Sequence, residues 1–316
     1  MLQSRLIYLI ISNEVEKMKE TVRMKNSGSW VKALIKDFID SSPENTLGNR
    51  ENEKAWEDLL VGFSTGADPL YREYKELVSL FHWTPLEIFM ITFPSSEVSA
   101  EDLTVISWVL PQTKVTKSDN RKETIYPSER WARARMFGEE VNVKLAKHVV
   151  ASLKQAGFNA VAPSLLSPSF KWMESERYTF ASTWSERHAA YASGLGTFGL
   201  CDGLITSRGK AIRCGSVVAN IKIPPTKRSY RDHHAYCLFF SKGTCGKCIQ
   251  RCPVGALSPS GHDKVKCRSY LFTDIKDYVA SHFGFVGYGC GLCQTGVPCE
   301  SKIPLKAALK WKGEKK

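Results

Sequence analysis

The stretch Cys245-Gly-Lys-Cys-Ile-Gln-Arg-Cys-Pro253 decides how this chain is interpreted. Its spacing, C-x2-C-x3-C-P, ends the cysteine run of bacterial ferredoxins, in which the cysteine before the proline ligates a different 4Fe-4S cluster from its neighbours. Eight of the ten cysteines lie within residues 237–299. Eight thiolates are enough for two 4Fe-4S clusters, so the sequence predicts an iron-sulfur electron-transfer module.

The other cysteines of this segment are spread on both sides of that stretch. The full set is Cys237, Cys245, Cys248, Cys252, Cys267, Cys290, Cys293 and Cys299. Two zinc sites of four thiolates each are the chemical alternative. The pre-proline cysteine and the single Cys267 between the two groups favour clusters, because zinc ribbons use paired C-x2-C knuckles. Cys201 and Cys214 lie outside the segment, and we expect them to be ordinary buried thiols.

Length and charge set broad limits on the function. The 316 residues, 43% hydrophobic and 24% charged, are enough for a large core and two domains and give no sign of long disorder. The formal charge is +12. Eight thiolates and two cluster cores of charge 2+ would together lower it to about +8, which still favours an anionic partner such as nucleic acid, a phosphate-bearing cofactor or an acidic redox protein.

The N-terminal segment predicts a cytoplasmic protein. The apolar run Leu6–Ile11 is far too short to span a bilayer, and Glu14 and Glu16 follow it without a cleavage site. In a reducing cytoplasm, clustered thiols are expected to be metal ligands and not disulfides.

The pattern along the first 230 residues predicts alternating helices and strands. Residues 25–100 are interpreted as helical, and residues 103–110, rich in β-branched side chains, as a buried strand. An amphipathic helix is expected from Pro127 to Gly157, followed by a strand over residues 158–162. This order indicates an α/β or α+β domain.

A glycine-rich stretch follows, with Gly194, Gly196 and Gly199 in the spacing G-x-G-x-x-G. A dinucleotide-binding motif should follow a strand and open a helix, whereas residues 186–193 look helical and precede the glycines. The stretch is therefore interpreted as the turn that ends a helix, or as a turn that lets backbone approach a large cofactor. Residues 204–206 and 216–223 are predicted to pair as a hairpin around 207–209.

Several motifs together resemble the epoxyqueuosine reductase and reductive dehalogenase superfamily, roughly over residues 100–300. They are Glu186-Arg-His-Ala-Ala-Tyr-Ala-Ser-Gly-Leu-Gly196, Leu204-Ile-Thr206, Gly215-Ser-Val-Val218, Cys245–Leu257, Lys266-Cys-Arg-Ser-Tyr-Leu271 and Tyr288-Gly-Cys-Gly-Leu-Cys293. The resemblance implies an α+β fold: an N-terminal helical region (1–100), a nitroreductase-like α/β domain that holds cobalamin (101–230), a ferredoxin-like domain with two 4Fe-4S clusters (231–304) and a basic tail (305–316).

The same resemblance implies how the cysteines divide between the clusters. Cys245, Cys248 and Cys299 would ligate the first cluster. The second would take Cys252, Cys267, Cys290 and Cys293. The family's further first-cluster cysteine falls on Lys242 here, so Cys237 is assigned as its replacement. The spacing between Cys293 and Cys299 is also longer than in the family.

The resemblance implies a proton donor as well, and here the sequence departs from the family. Epoxyqueuosine reductases carry an aspartate just before the segment that matches Ser185-Glu186, but residues 178–184 contain no acid. The candidate catalytic groups are therefore Glu186, His188 and Tyr178, with Tyr191 close by in the sequence. For each, a structural role is the alternative. The cobalamin contacts are expected at Gly194, Gly196, Gly199, Thr206 and Ser216.

Three functions remain open at this point. The first is a cobalamin-dependent iron-sulfur reductase of a small or nucleic-acid-borne electrophile, fed by a donor such as ferredoxin or flavodoxin. The second is epoxyqueuosine reductase itself, acting on tRNA. The third is a two-cluster electron carrier or corrinoid-protein activator that performs no substrate chemistry.

Overall fold

A computed structural model describes residues 27–304 of the chain. The predictions for the apolar run 6–11 and for the basic tail 305–316 lie outside the described residues. The helices are α1 (27–41), α2 (Leu70–Leu77), α3 (Pro85–Thr92), α4 (Lys114–Lys122), α5 (Glu129–Gln155), α6 (Glu186–Ala192), α7 (Leu238–Lys242), α8 (Lys247–Gln250), α9 (Lys264–Tyr270) and α10 (Lys276–Phe283). The strands are β1 (Leu60–Thr65), β2 (Thr104–Pro111), β3 (Ala160–Val161), β4 (Trp172–Ser175), β5 (Thr179–Ser182), β6 (Gly196–Phe198), β7 (Leu204–Thr206), β8 (Ile212–Ala219), β9 (Leu257–Ser258) and β10 (Gly261–His262).

A four-stranded antiparallel sheet in the order β1-β2-β8-β3 forms the centre of the protein. All eight residues of β2 are buried, which agrees with the strand predicted for residues 103–110. Successive side chains of a strand point to opposite faces. Accordingly, Val105 and Val109 join one core, while Ile106 and Trp108 join the other. The sheet is therefore covered by apolar side chains on both faces.

Two helices cover the Ile106 face. Val31 and Ile35 of α1 pack there with Val141 and Leu145 of α5. The start of α5 is capped by Ser128, whose Oγ accepts a hydrogen bond from the backbone N–H of Trp131. The 27 residues of α5 give it a length of about 40 Å. The helix predicted from Pro127 to Gly157 is thus confirmed.

Helices α2, α3 and α6 cover the Val105 face together with part of the cysteine-rich segment. Tyr71 of α2, Phe89 of α3 and Ala190 of α6 share this core with Cys237 and Cys248. The segment itself consists of short elements, α7 to α10 and the two-stranded ribbon of β9 and β10. Its residues Cys237 and Cys248 are buried in the core on the Val105 face of the sheet.

The structure corrects two predictions. The hairpin of residues 204–206 with 216–223 is wrong: β7 pairs with β6, and β8 pairs with β2 and β3. The stretch 25–100 is also not only helical, because it contains β1, the edge strand of the central sheet. The strand expected over 158–162 is present as the short β3. The mixed α+β class is confirmed.

None of the helices in the described part of the chain is long and apolar enough to cross a membrane.

Candidate functional site

The four cysteines predicted for the first cluster line one cavity. They are Cys237, Cys245, Cys248 and Cys299. Each comes from a different local structure: the N-cap of α7, the loop after it, helix α8 and the final loop. Four thiols around one cavity are the donor set that a 4Fe-4S cluster takes. The residues therefore fit such a cluster, and their role as ligands stays a prediction.

The final loop is held to this cavity by a tight turn after β7. The backbone N–H of Lys210 donates to the carbonyl of Cys299 at 2.9 Å. Gly209 has a φ of +81°, and a Cβ there would come within 2.1 Å of the Glu300 carbonyl oxygen. A glycine is therefore required at this contact, which positions Cys299 beside the other three thiols.

The second predicted set also comes together. The thiol of Cys290 interacts electrostatically with those of Cys267 and Cys252, and Cys293 interacts with Cys290. Burial raises the pKa of the Cys290 thiol to about 12 and that of Cys299 to about 11. In residues 27–304, no group of three or more His, Cys, Asp or Glu side chains is arranged to hold a single metal ion.

Arg251 ties the cysteine stretch to the loop that carries the second set. Its guanidinium donates hydrogen bonds to the carbonyls of Leu292 and Thr295, and to those of Glu123 and Asn120 after and within α4. Arg251 lies in the sequence between Cys248 and Cys252. Its contacts therefore fix one set of cysteines relative to the other.

Cys201 is buried, as expected, and the Nζ of Lys210 lies 3.2 Å from its Sγ. The Cys201 thiol also interacts electrostatically with those of Cys248, from the first set, and Cys293, from the second. Its interactions with these two thiols and with the Lys210 ammonium hold the pKa of Cys201 well below its usual value. No spacing motif in the sequence signals this pair.

Cys214 behaves as expected of a buried thiol. Burial raises its pKa to about 12.

Glu186, a candidate catalytic residue, sits in a buried polar pocket at the start of α6. Its Oε2 shares a 2.5 Å hydrogen bond with the Ser216 hydroxyl, which also accepts a hydrogen bond from the indole N–H of Trp184 at 3.0 Å. The Oε1 of Glu186 is buried and has no hydrogen-bond partner in the described part of the chain. Burial raises the pKa of this carboxyl to about 7. It can therefore gain or lose a proton near neutral pH.

The other two candidates lie in different surroundings. His188 hydrogen-bonds through Nδ1 to the N-cap hydroxyl of Ser185 at 2.8 Å and packs on the rings of Tyr74 and Phe198. Burial holds its pKa well below the usual value, so its imidazole is neutral at pH 7. Tyr178 lies in the exposed turn between β4 and β5, with Lys264 Nζ 4.4 Å from its ring centre. Of the three candidates, only Glu186 is a carboxylic acid, and its role as proton donor stays a prediction.

The residues expected to contact cobalamin are used by the fold itself. The Thr206 hydroxyl donates to the Gly209 carbonyl, and Ser216 is engaged with Glu186. Gly196 packs so closely that a Cβ would lie 2.4 Å from the Ile205 carbonyl oxygen. Gly194 follows the end of α6, and Gly199 lines the first cysteine cavity. Thr206 and Ser216 are buried, and the three glycines could approach a cofactor only through their backbone, so the expected cobalamin contacts stay a prediction. As expected, the glycine run follows a helix and does not open one.

Fold and site together define an α+β protein in which cysteines from both predicted sets adjoin the core on the Val105 face of the sheet. No family model matches the chain. It is similar to curated epoxyqueuosine reductases: 33% identical over 120 residues to that of Bacillus cereus, covering 36% of this chain and 29% of the relative. The Leadbetterella byssophila enzyme is 38% identical over 64 residues, covering 19% and 21%. The matches span less than a third of these relatives, and they confirm the resemblance predicted from the motifs.

Solved structures also align with the chain, at lower sequence identity. The epoxyqueuosine reductase of Bacillus subtilis aligns with 88% of this chain and 68% of its own, at 19% identity and a TM-score of 0.45. An epoxyqueuosine reductase with a tRNA stem loop aligns over 90% and 70%, at 18% identity and 0.45. A catabolic reductive dehalogenase with 3-bromo-4-hydroxybenzoic acid aligns over 89% and 38%, at 13% identity and 0.49.

Proposed function

We propose that this protein is an iron-sulfur oxidoreductase of the epoxyqueuosine reductase type. The observation that carries the proposal is the single cavity lined by Cys237, Cys245, Cys248 and Cys299, because four thiols from dispersed parts of the chain converge there. In this proposal the first set holds one 4Fe-4S cluster and the second set another, within a ferredoxin-like domain that follows a nitroreductase-like domain. Clusters of this kind supply one-electron transfer.

The order of the two sets supports a path for electrons through the protein. Cys248 and Cys293, one from each set, both interact electrostatically with the thiol of Cys201. The two clusters would therefore lie close together, and an electron from a donor such as ferredoxin or flavodoxin would pass from one to the other. We propose cobalamin as the acceptor on the strength of the resemblance, since reduced cobalt would supply a strong nucleophile toward an electrophilic substrate.

Glu186 is the proposed proton donor. A reduction that opens a carbon–oxygen bond with two electrons leaves a negative charge on oxygen, and a nearby acid must neutralise it. The Glu186 carboxyl has a pKa of about 7 because it is buried, and its Oε1 has no hydrogen-bond partner among residues 27–304. It takes the place of the aspartate that residues 178–184 lack. The neutral His188 would then support α6 through Ser185 and not donate a proton.

A tRNA-borne substrate is the more specific form of the proposal. It rests on the curated relatives, which are named epoxyqueuosine reductases, and on the net charge of +12, which suits a polyanionic partner. Reduction of a smaller electrophile would use the same cluster sites. A two-cluster carrier without substrate chemistry is the remaining alternative, and the buried acid of Glu186 argues for an enzyme.

Anaerobic reconstitution tests the proposal. Protein loaded with iron and sulfide should contain about eight of each per chain and show the absorbance and low-temperature EPR signal of 4Fe-4S clusters after reduction. Added cobalamin should remain bound through gel filtration and change its spectrum on reduction. Zinc without sulfide would contradict the cluster assignment. If the protein binds both clusters but no corrinoid, the two-cluster electron carrier is the function that remains. Failure to complement a queuosine-deficient strain would exclude a tRNA-borne substrate.

A further inference from the structure

A buried lysine lies where the two cysteine sets meet. The side chain of Lys210 is 2% exposed, and its Nζ is 3.2 Å from the Sγ of Cys201. Its alkyl chain passes Gly203, where an added Cβ would lie 3.6 Å from the Lys210 Cδ. A lysine is seldom buried without a negative partner, because removing an ammonium from water is costly. The partners here are sulfur atoms.

These sulfur atoms belong to both sets. Lys210 lines the cavity of the first set, and its backbone N–H is bonded to the Cys299 carbonyl. Its ammonium interacts electrostatically with the thiols of Cys201, Cys248, Cys293 and Cys299. Burial lowers the pKa of Lys210, but the charges of these thiols outweigh it and keep that pKa well above its usual value. One positive charge therefore faces ligands from each proposed cluster.

We propose that Lys210 sets the reduction potentials of the two clusters and holds them high enough to accept electrons. This inference rests on the cluster assignment proposed above. A 4Fe-4S cluster with four thiolates carries a charge of about −2 when oxidised and gains one more negative charge on reduction. A fixed cation at contact distance favours the more negative form, and the effect is strong where water is excluded. Lys210 therefore acts through its positive charge beside the clusters and is not a ligand of either one.

The geometry also ranks the two clusters. Lys210 lines the cavity of the first set and interacts electrostatically with two of its thiols, Cys248 and Cys299, but with only Cys293 of the second. The first cluster should therefore depend more strongly on the lysine. The Lys210 Nζ is hydrogen-bonded to the Cys201 Sγ at 3.2 Å.

The test is an EPR-monitored redox titration of the reconstituted full chain. In Lys210→Met we expect the reduction equilibrium of the first cluster to become at least tenfold less favourable, which is about 59 mV lower in midpoint potential for one electron. The second cluster should shift less, and Lys210→Arg, which keeps the charge, should shift both by less than Met. Lys147→Met removes one exposed lysine charge from α5 and should change neither potential.

Iron and sulfide analysis separates the possible failures. If the wild-type chain does not form two clusters, the proposed function fails before the lysine is considered. If Lys210→Met carries both clusters with unchanged potentials, only the role of Lys210 is overturned. Lys210→Gln is titrated in the same way where Met does not load. If no neutral variant loads, the lysine serves assembly and not the potentials, and the proposal is wrong.

Discussion

The hydroxyl of Ser216 donates a hydrogen bond of 2.5 Å to the carboxyl of Glu186, whose other oxygen is buried with no partner among the residues that the structure describes. The bond joins the first turn of α6 to the central strand β8. It holds an acid with a pKa of about 7 against the sheet. A carboxyl in this state stores a proton at neutral pH that an exposed glutamate would have released.

This stored proton makes stability depend on pH. The folded-state pKa of Glu186 is raised from 4.5 to about 7, so between these values the folded state binds more protons than the unfolded state. The free energy of unfolding should therefore fall as pH rises from about 4.5 to about 7, by about 3 kcal/mol. Glu186→Gln, neutral at every pH, should remove this part of the slope.

Urea unfolding of the loaded protein across this pH range measures that slope. Glu140→Gln, on the exposed side of α5, is the matched control and should leave the slope as it is in the wild type. An unchanged slope in Glu186→Gln would show that the proton is held elsewhere.

Single cysteine substitutions test which thiols hold iron. Cys237→Ser removes a thiol that lines the first cavity and should lower the iron and sulfide content to about half, because three thiolates hold a cluster poorly. Cys201→Ser should keep the full content, since Cys201 lies beside the sets and not in that cavity. Cys214→Ser is the control for loss of a buried thiol. If Cys237→Ser kept its full iron content and Cys201→Ser lost half of it, Cys201 and not Cys237 would be the cluster ligand.

Arg251 should be needed for the arrangement of the two sets. Arg251→Ala removes hydrogen bonds to four backbone carbonyls and leaves those acceptors to find new partners. We expect a loss of about 3 kcal/mol in the free energy of unfolding and weaker cluster loading. Chemical denaturation and iron analysis measure the two effects. Arg72→Ala, on the exposed side of α2, should change neither the free energy of unfolding nor the cluster loading. Equal losses in both variants would contradict the role of Arg251 in holding the two sets together.

Gly209 offers a separate test of how Cys299 is placed. Gly209→Ala adds backbone strain at a φ of +81° and a collision with the Glu300 carbonyl. Gly243→Ala adds strain at a φ of +63° but meets no atom within 4 Å. Strain alone costs about 1 kcal/mol. Gly209→Ala should therefore lose clearly more thermal stability than Gly243→Ala and load less iron at the first set. Equal melting temperatures would show that the final loop can move away from an added Cβ at residue 209 without loss of stability.

The sequence predicts those parts of the fold that follow from local patterns. Strand β2 is a continuous apolar run, and α5 has a capped start and a regular apolar face, so both are recognisable. Strand β1 is missed because Gly62 interrupts a short run, and that glycine is needed where a Cβ would lie 2.3 Å from the Ser193 carbonyl oxygen. The pairing of β8 is missed because its partner β2 lies about a hundred residues earlier in the chain.

The same distinction holds for the site. The spacing of the cysteines makes it possible to recognise Cys245, Cys248 and Cys252 in the sequence. The raised pKa of Glu186 cannot be predicted in this way, because it is caused by burial among residues that are distant in the sequence. The pair of Cys201 and Lys210 has no motif, since a turn and the final loop bring it to the other cysteines.

The division of the cysteines has a consequence for biosynthesis. Every member of the second set lies between Cys248 and Cys299 in the sequence, whereas the first set includes both of these residues. A chain leaving the ribosome N-terminus first therefore exposes all four second-set thiols while the first set still lacks Cys299. If iron delivery begins during translation, the second set can receive its cluster before the first set is complete.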